Sequence, residues 1–393
     1  MIVPDNVLFG SAAVALFATL ICAPMVWVDI VRSVRAMSVS QQRIYLFLSV
    51  ASGVVLALIP GQMVQMFTGY GLLDGIAIDA PIPRYGAGHA ALLQPLFAVM
   101  GPSQGLVFGV HAVLGWCSMI VIATWVSRWF ERPSVAVVAL LAVVCVPILL
   151  RHHRSEAATV VATLAMFMAL LHGLRAVRSA SKQAQWAAWL TWAYAAHVRP
   201  EMVVAGPVLL LAQHHLLGST VKRARFLTVG HIMAPLVAVA LVAPQWVHIL
   251  FGLTAESSLG DLPMTESWAW LKLPVMLVTH NLMFWPDAFP VGLTLLGVLA
   301  WPHCMRHSQP SVRSLARWLP LAIIALLAPA MVDPPEVSLP RLEAPALMLW
   351  AAVAAGFASV RWQGASRRWQ AAVVLVVLLS AVATLPYAFR TSN

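Results

Sequence analysis

The first group of residues suited to chemistry lies between the second and third long apolar blocks of the chain. It contains two carboxylates five residues apart, Asp74 and Asp79, followed by Arg84, Tyr85 and His89. A carboxylate here can act as a general base or bind a divalent ion, and the planar guanidinium of Arg84 can hold a phosphate. The alternative is a solvated loop whose aspartates form ordinary turns.

A second group lies at the boundary of two later apolar blocks and contains Arg151, His152, His153, Arg154 and Glu156. Four consecutive basic or imidazole side chains suit a phosphate-binding patch. Adjacent histidines can also bind a metal, although this spacing is not diagnostic of a metal site. The alternative is a set of long side chains that reach lipid headgroups at the edge of a bilayer.

Two further sites combine an arginine with a glutamate. Arg199 and Glu201 flank a proline between two short apolar blocks. An ionisable pair at that depth is costly unless it is partnered, so function is the first interpretation and a helix-capping pair is the alternative. Arg341 ends the proline-rich stretch DPPEVSLPR and opens a late apolar block together with Glu343. A plain interfacial anchor is the alternative for Arg341.

Single histidines within the apolar blocks are expected to pack or to form hydrogen bonds rather than to bind ligands. This expectation covers His111, His172, His197 and His231.

The composition identifies the solvent in which these groups must work. Apolar residues make up 61% of the 393 and charged residues only 10%, whereas a soluble domain carries roughly 25% charged residues. The apolar residues come in blocks close to the length that crosses a ~30 Å hydrocarbon core. The net charge of +10 is spread over short connections between these blocks. It therefore indicates membrane topology rather than binding to nucleic acid.

These blocks predict an all-α polytopic transmembrane bundle of about 12 spans, within a range of about 10 to 13, because only helices satisfy their backbone in lipid. Residues 1–393 form a single integral membrane domain in this interpretation, with long outer loops at 68–103 and 250–287. The stretch 85–101 is expected to be a helix lying in the interface. The predicted spans are 7–28, 44–67, 104–126, 134–150, 157–174, 185–198, 202–217, 226–249, 289–304, 318–332, 342–360 and 370–387.

The charges predict an orientation. With both termini outside, most of the 24 basic residues fall in inner loops, and of the 14 acidic residues only Asp29 and Glu131 do. Lys and Arg in short loops mark the cytoplasmic side, so this arrangement predicts a protein of a bacterial cytoplasmic membrane. Nearly every candidate general base then lies on the outer side.

Several motifs carry a resemblance to a known family. The stretch IPRYGAGHAALLQPLFAVMG resembles the segment that follows the catalytic loop in GT-C class glycosyltransferases, which include the protein O-mannosyltransferases and aminoarabinose transferases. Arg154-Ser155-Glu156-Ala157 resembles the family's Arg-Glu-Ala entry into a helix. WAAWLTWAYAAHVRPEMVVAGPVLLLAQ is similar to its short helix pair, and PRLEAPALMLWAAVAAGF is similar to its late Arg-Tyr-Leu-x-Pro helix opening. The resemblance extends over roughly residues 60–360.

The resemblance implies an inverting enzyme that moves a sugar from a polyprenyl phosphate to an acceptor glycan, lipid or protein at the outer membrane face. Asp74 or Asp79 would be the base, and Arg341 would lie near the donor phosphate. The resemblance implies no particular cofactor and leaves a divalent cation as an alternative.

The chain departs from the family pattern in two ways. Family members usually carry an acid earlier in this loop, and two prolines of the usual turn are replaced by Gly86 and Ala87. An inactive scaffold of the same fold therefore stays open. A transporter or flippase for a lipid-linked or small solute is a separate alternative.

Overall fold

The structure is a computed structural model of the 393-residue chain. It describes residues 3–61, 87–155, 157–199, 201–218, 229–255, 289–332 and 335–362, together with single positions between 366 and 386.

The continuous segments are helical from end to end apart from short turns. The helices are α1 (Asp5–Arg35), α2 (Val39–Leu58), α3 (Gly88–Met100), α4 (Gln104–Phe130), α5 (Val135–Val144), α6 (Pro147–His153), α7 (Thr159–Ser179), α8 (Lys182–Val198), α9 (Met202–Gly218), α10 (Val229–Ala255), α11 (Val291–Met305), α12 (Pro310–Val332) and α13 (Pro335–Trp362). Within the described residues six of these helices are long and apolar enough to cross a membrane, or seven if a bent pair counts as one span. The prediction of an all-α membrane bundle is confirmed.

The bent pair is the main departure from the predicted spans. The block predicted as one span at 134–150 forms α5 and α6, whose axes differ by 75°. Pro147 occupies the first turn of α6, where its missing amide hydrogen costs nothing, whereas it could not continue α5 without breaking that helix's bonding. Because of this break, the end of α6 turns back toward α4 and α13. Both α5 and α6 contact these two helices.

Other boundaries differ by a turn or two. α12 begins at Pro310 and α13 at Pro335, eight and seven residues before the predicted span starts. The interfacial helix predicted at 85–101 is present as α3, Gly88–Met100. The predicted span 370–387 and most of both long loops lie outside the described residues.

One end of the bundle is held by ion pairs, and we call it the arginine end. Asp29 of α1 is fully buried, with one carboxylate oxygen 3.3 Å from a guanidinium nitrogen of Arg128 and the other 3.6 Å from one of Arg175. Arg178 pairs with Glu131 at 2.9 Å. These contacts join the C-terminal ends of α1, α4 and α7, so the three helices run in the same direction.

A tryptophan cluster packs the core near the arginine end. The rings of Trp125, Trp129 and Trp318 have centroids about 5 Å apart, as the pairwise values of 4.9, 5.3 and 5.2 Å show. Their indole N–H groups all find acceptors, among them the amide oxygen of Gln213 and the carbonyl of Ser311. Buried indoles need such partners, and here the partners tie α4 to α9 and α12.

Candidate functional site

A chain of hydrogen bonds joins two histidines at the opposite end of α4. His89, in the first turn of α3, lies with its Nε2 3.0 Å from Nε2 of His111 in α4. Nδ1 of His111 lies 2.7 Å from the backbone carbonyl oxygen of Ser155. His111 is fully buried and His89 is half-buried. We call this chain the histidine relay, and the end of the bundle that contains it the histidine end.

The second predicted group does not form one open patch. His152 and His153 are buried, and a Cβ at Gly115 of α4 would collide with the ring of His153. Nε of Arg154 donates to the carbonyl of Ile59 at 2.8 Å, so this arginine holds the end of α2. The histidines of this group are therefore packed between helices. Arg151 is half-buried, at the last turn of α6.

The third predicted pair is present and lies next to the relay. Nε of Arg199 is 2.6 Å from a carboxylate oxygen of Glu201, and the two side chains are 4% and 15% exposed. Arg199 follows the last residue of α8. Its charge is close enough to His89 to influence the proton affinity of that ring.

Close backbone packing places α3 beside α8. A Cβ at Gly88 would lie 2.8 Å from the backbone carbonyl carbon of His197 and from the backbone nitrogen of Val198. Glycine is therefore the residue that fits. The hydroxyl of Tyr194 donates to the carbonyl of Gly88 at 3.2 Å. Together these contacts bring His89, on α3, to the end of α8 from which Arg199 emerges.

Helix α10 completes this end of the bundle. The amide oxygen of buried Gln245 accepts from the backbone N–H of Ala87 at 3.3 Å. Nε2 of His197 donates to the carbonyl of Leu241 at 2.9 Å. The interpretation of His111 and His197 as hydrogen-bonding histidines is thus confirmed.

The surroundings keep His89 neutral. Burial is the first cause that holds its pKa well below the usual value, and the nearby His111 and the positive charge of Arg199 act in the same direction. Each disfavours the imidazolium, because a cation loses hydration and meets another positive charge. At neutral pH His89 therefore presents one N–H and one lone pair.

An apolar groove of about 310 Å³ begins at the histidine end. Leu92, one turn beyond His89, and Tyr194 line its start, and it continues between α1, α4 and α7 as far as Ile30 of α1. Leu16 and Ile30 of α1 both line it, so its length along that helix is about 20 Å at 1.5 Å per residue. A long apolar surface thus starts about one helical turn from His89.

Several predicted site residues lie outside the described residues. These are Asp74, Asp79, Arg84, Tyr85 and Glu156. Arg341 falls within helix α13, but its side chain is also outside the description, whereas Glu343 is buried at 2% exposure. Among the described residues no three His, Cys, Asp or Glu side chains are grouped as metal ligands.

Sequence reasoning did not place His111, Ser155 or Tyr194 in the site. His111 occurs alone in an apolar span, and the partner atom at Ser155 is a backbone carbonyl that any residue could provide. A signal was available only for Gly88, because a glycine at the start of an apolar helix often marks close backbone approach.

Comparison with known proteins agrees with this architecture. Residues 86–248, which include α3 to most of α10, match the family of dolichyl-phosphate-mannose-protein mannosyltransferases. Curated protein sequences include none that matches the chain.

Solved structures resemble most of the chain. ArnT from Cupriavidus metallidurans bound to undecaprenyl phosphate is similar with a TM-score of 0.57 and 14% identity, over 86% of this chain and 63% of that one. Its apo form gives a TM-score of 0.50 at 16% identity with the same coverage. An oligosaccharyltransferase from Archaeoglobus fulgidus, tethered to an acceptor peptide, gives 0.53 and 11% identity over 88% of this chain and 54% of that one.

The fold is that of the GT-C membrane glycosyltransferases, and the resemblance predicted from the sequence motifs is confirmed. The chain spans less than two thirds of the length of each of these solved structures.

Proposed function

We propose that this protein is a membrane glycosyltransferase that transfers a sugar from a polyprenyl-phosphate donor to an acceptor on the non-cytoplasmic face. One observation carries the proposal: a polar cluster with a nearly buried arginine lies close to the start of an apolar groove about 20 Å long at 1.5 Å per residue. Leu92 and Tyr194 line that start, on the helix that carries His89 and on the helix that precedes Arg199. Such a donor has a charged phosphate joined to a long hydrocarbon chain, so it needs both surfaces side by side. The similarity to ArnT, whose structure holds undecaprenyl phosphate, supports this donor class.

Arg199 is the arginine best placed to bind the donor phosphate in this proposal. It follows α8 five residues after Tyr194, which lines the start of the groove, and a guanidinium can bind phosphate through two parallel hydrogen bonds. Such a contact stabilises the leaving group, whose negative charge grows as the sugar departs. Arg84, Arg151, Arg154 and Arg341 are further proposed phosphate ligands from the sequence.

The base in this proposal is Asp74 or Asp79 of the first outer loop. The acceptor oxygen forms a bond to the anomeric carbon while its proton passes to the carboxylate. The bond between the anomeric carbon and the phosphate oxygen breaks, and its electron pair stays on the polyprenyl phosphate. Attack opposite the leaving group inverts the anomeric carbon, and no other reactant is needed.

The proposed setting is a bacterial cytoplasmic membrane, with both termini and the histidine end outside. Its proposed partners are the lipid-linked sugar and an acceptor glycan, lipid or protein. The concentration of acids on the predicted outer side favours surface chemistry over a transport pathway, which would need ionisable groups near the midplane.

The test is transfer by purified full-length protein in nanodiscs, supplied with undecaprenyl-phosphate sugars and a membrane extract as acceptor. We expect Asp74→Asn or Asp79→Asn to reduce turnover by at least about a hundredfold, the range for loss of a general base. Asp5→Asn, at the start of α1, is the control and should retain activity. Normal transfer by the Asp74/Asp79 double variant would remove the loop carboxylates from the mechanism, and absence of transfer by the wild type would remove the function.

A further inference from the structure

The histidine relay fixes the protons on both rings. A carbonyl oxygen only accepts, so Nδ1 of His111 must donate to Ser155. Neutral His111 then has its lone pair on Nε2, and Nε2 of His89 must donate to it. This leaves Nδ1 of His89 without a proton, as a hydrogen-bond acceptor. The backbone carbonyl of Ser155 thus determines, through the rings of His111 and His89, that Nδ1 of His89 can bind only a hydrogen-bond donor.

The acceptor atom belongs to a residue close to the proposed phosphate ligand. In an imidazole ring the two nitrogens point in widely different directions, so Nδ1 of His89 points away from His111. Arg199, the proposed phosphate ligand, comes directly after His197 and Val198, whose backbone packs against Gly88, the residue before His89. A sugar joined to a phosphate at Arg199 would therefore lie near His89. Sugar hydroxyl groups are hydrogen-bond donors, as this acceptor requires.

We propose that Nδ1 of His89 accepts a hydrogen bond from a hydroxyl group of the sugar carried by the lipid phosphate, so that the relay forms a sugar-binding subsite. The inference rests on the proposed function and adds to it the residue that recognises the sugar. His111 is a positioning residue in this scheme, because it acts only through His89.

The groups around His89 are consistent with a neutral acceptor. Within the described residues, α1 contributes the apolar side chains of Leu8 and Ala12 to this neighbourhood. Among the described residues, the titratable and charged groups near the relay are His111 of α4, His153 of α6, Tyr194 of α8, and Arg199 at the end of α8 with its partner Glu201.

Two amide variants separate the nitrogens of His89. In His89→Gln the amide overlies Nε2, so it can still donate to His111 but offers nothing at Nδ1. In His89→Asn the amide overlies Nδ1, so its oxygen can accept from a hydroxyl, but the bond to His111 is lost. Neither amide can take up a proton at neutral pH, so the pair also distinguishes hydrogen bonding from base catalysis. His307→Gln, in the turn before α12, is a matched histidine control.

The measurement compares affinities of the purified full-length protein for undecaprenyl phosphate and for undecaprenyl phosphate carrying mannose, glucose, galactose or aminoarabinose. We expect the wild type to bind at least one sugar-bearing lipid about tenfold more tightly than undecaprenyl phosphate, as hydrogen bonds to a dry site can provide. His89→Gln should lose most of that ratio while its affinity for undecaprenyl phosphate stays within twofold. His89→Asn should retain more than half of the ratio.

Each of the following results would overturn the proposed sugar-binding subsite. Full discrimination by His89→Gln, or none by the wild type, means that His89 does not contact the sugar. Equal loss for both ligands means a structural role, and melting temperatures of the variants would show it. Normal affinities with turnover lost in both variants mean that His89 is a base. Failure of the wild type to bind undecaprenyl phosphate is a separate result, because it removes the proposed donor and the subsite with it.

Discussion

Arg199 combines two properties that are hard to satisfy together, since it is nearly buried and it is charged. Its pairing with Glu201 at 2.6 Å offsets part of the cost of burial. The same carboxylate neutralises the charge that a donor phosphate would need. Substitution of the arginine should therefore lower phosphate affinity, whereas substitution of the glutamate should not.

We predict that Arg199→Gln lowers the affinity for undecaprenyl phosphate at least about tenfold, because a charge-assisted contact is lost. Glu201→Gln should leave that affinity unchanged or raise it, since the arginine loses its competitor. Binding to the purified protein in nanodiscs measures both, with Arg361→Gln, exposed at the end of α13, as the control. If the affinity for undecaprenyl phosphate fell equally in both variants, the Arg199–Glu201 pair would only support the fold.

At the scale of the helices, the contact between α3 and α8 holds the candidate site together. Gly88 lets the two backbones approach, and the Tyr194 hydroxyl fixes their register through the Gly88 carbonyl. His89 and Leu92 then point to the relay and to the groove from the same short helix. A shift of α3 would separate the polar cluster from the apolar groove.

Gly88→Ala is expected to destabilise the protein by about 1–3 kcal/mol, because the new methyl group meets backbone atoms that cannot rotate away. Thermal unfolding in detergent measures the change. Gly105→Ala in α4 is the matched control, since a Cβ there meets nothing within 4 Å and alanine favours helix. Equal melting temperatures for the two variants would contradict the packing described for α3.

The same elements show how far the sequence predicts the structure. Length and apolarity are sufficient to predict α1 and α4, because backbone groups in lipid are satisfied only in a helix, and an apolar stretch too short to span predicts α3 as an interfacial helix. The break between α5 and α6 was missed because the apolar run continues through Pro147, and proline begins a helix as readily as it ends one. The pairing of His89 with His111 was beyond sequence reasoning, since it depends on a glycine contact with a third helix.

At the scale of the whole molecule, two polar regions lie at opposite ends of the same helices. In α4 the histidine relay contains His111 and the arginine end contains Arg128, and this separation is about 25 Å at 1.5 Å per residue. The same helix is apolar between them. That distance is close to the thickness of the hydrocarbon core. The two ends therefore fit the two faces of one membrane.

The clustering of arginines at one end predicts which face that is, because basic residues in short connections stay in the cytoplasm. The turn after α7 at Ala180 and the turn before α12 at His307 both belong to the arginine end, where Gln309 bonds to the carbonyl of Phe130. Alkaline phosphatase fused after Ala180 or His307 should be inactive, and the same reporter fused after Leu72 should be active. Green fluorescent protein at the three positions should give the inverse pattern. An inactive phosphatase after Leu72 would place the donor phosphate, the sugar and the loop carboxylates in the cytosol, where the proposed outer-face transfer cannot occur.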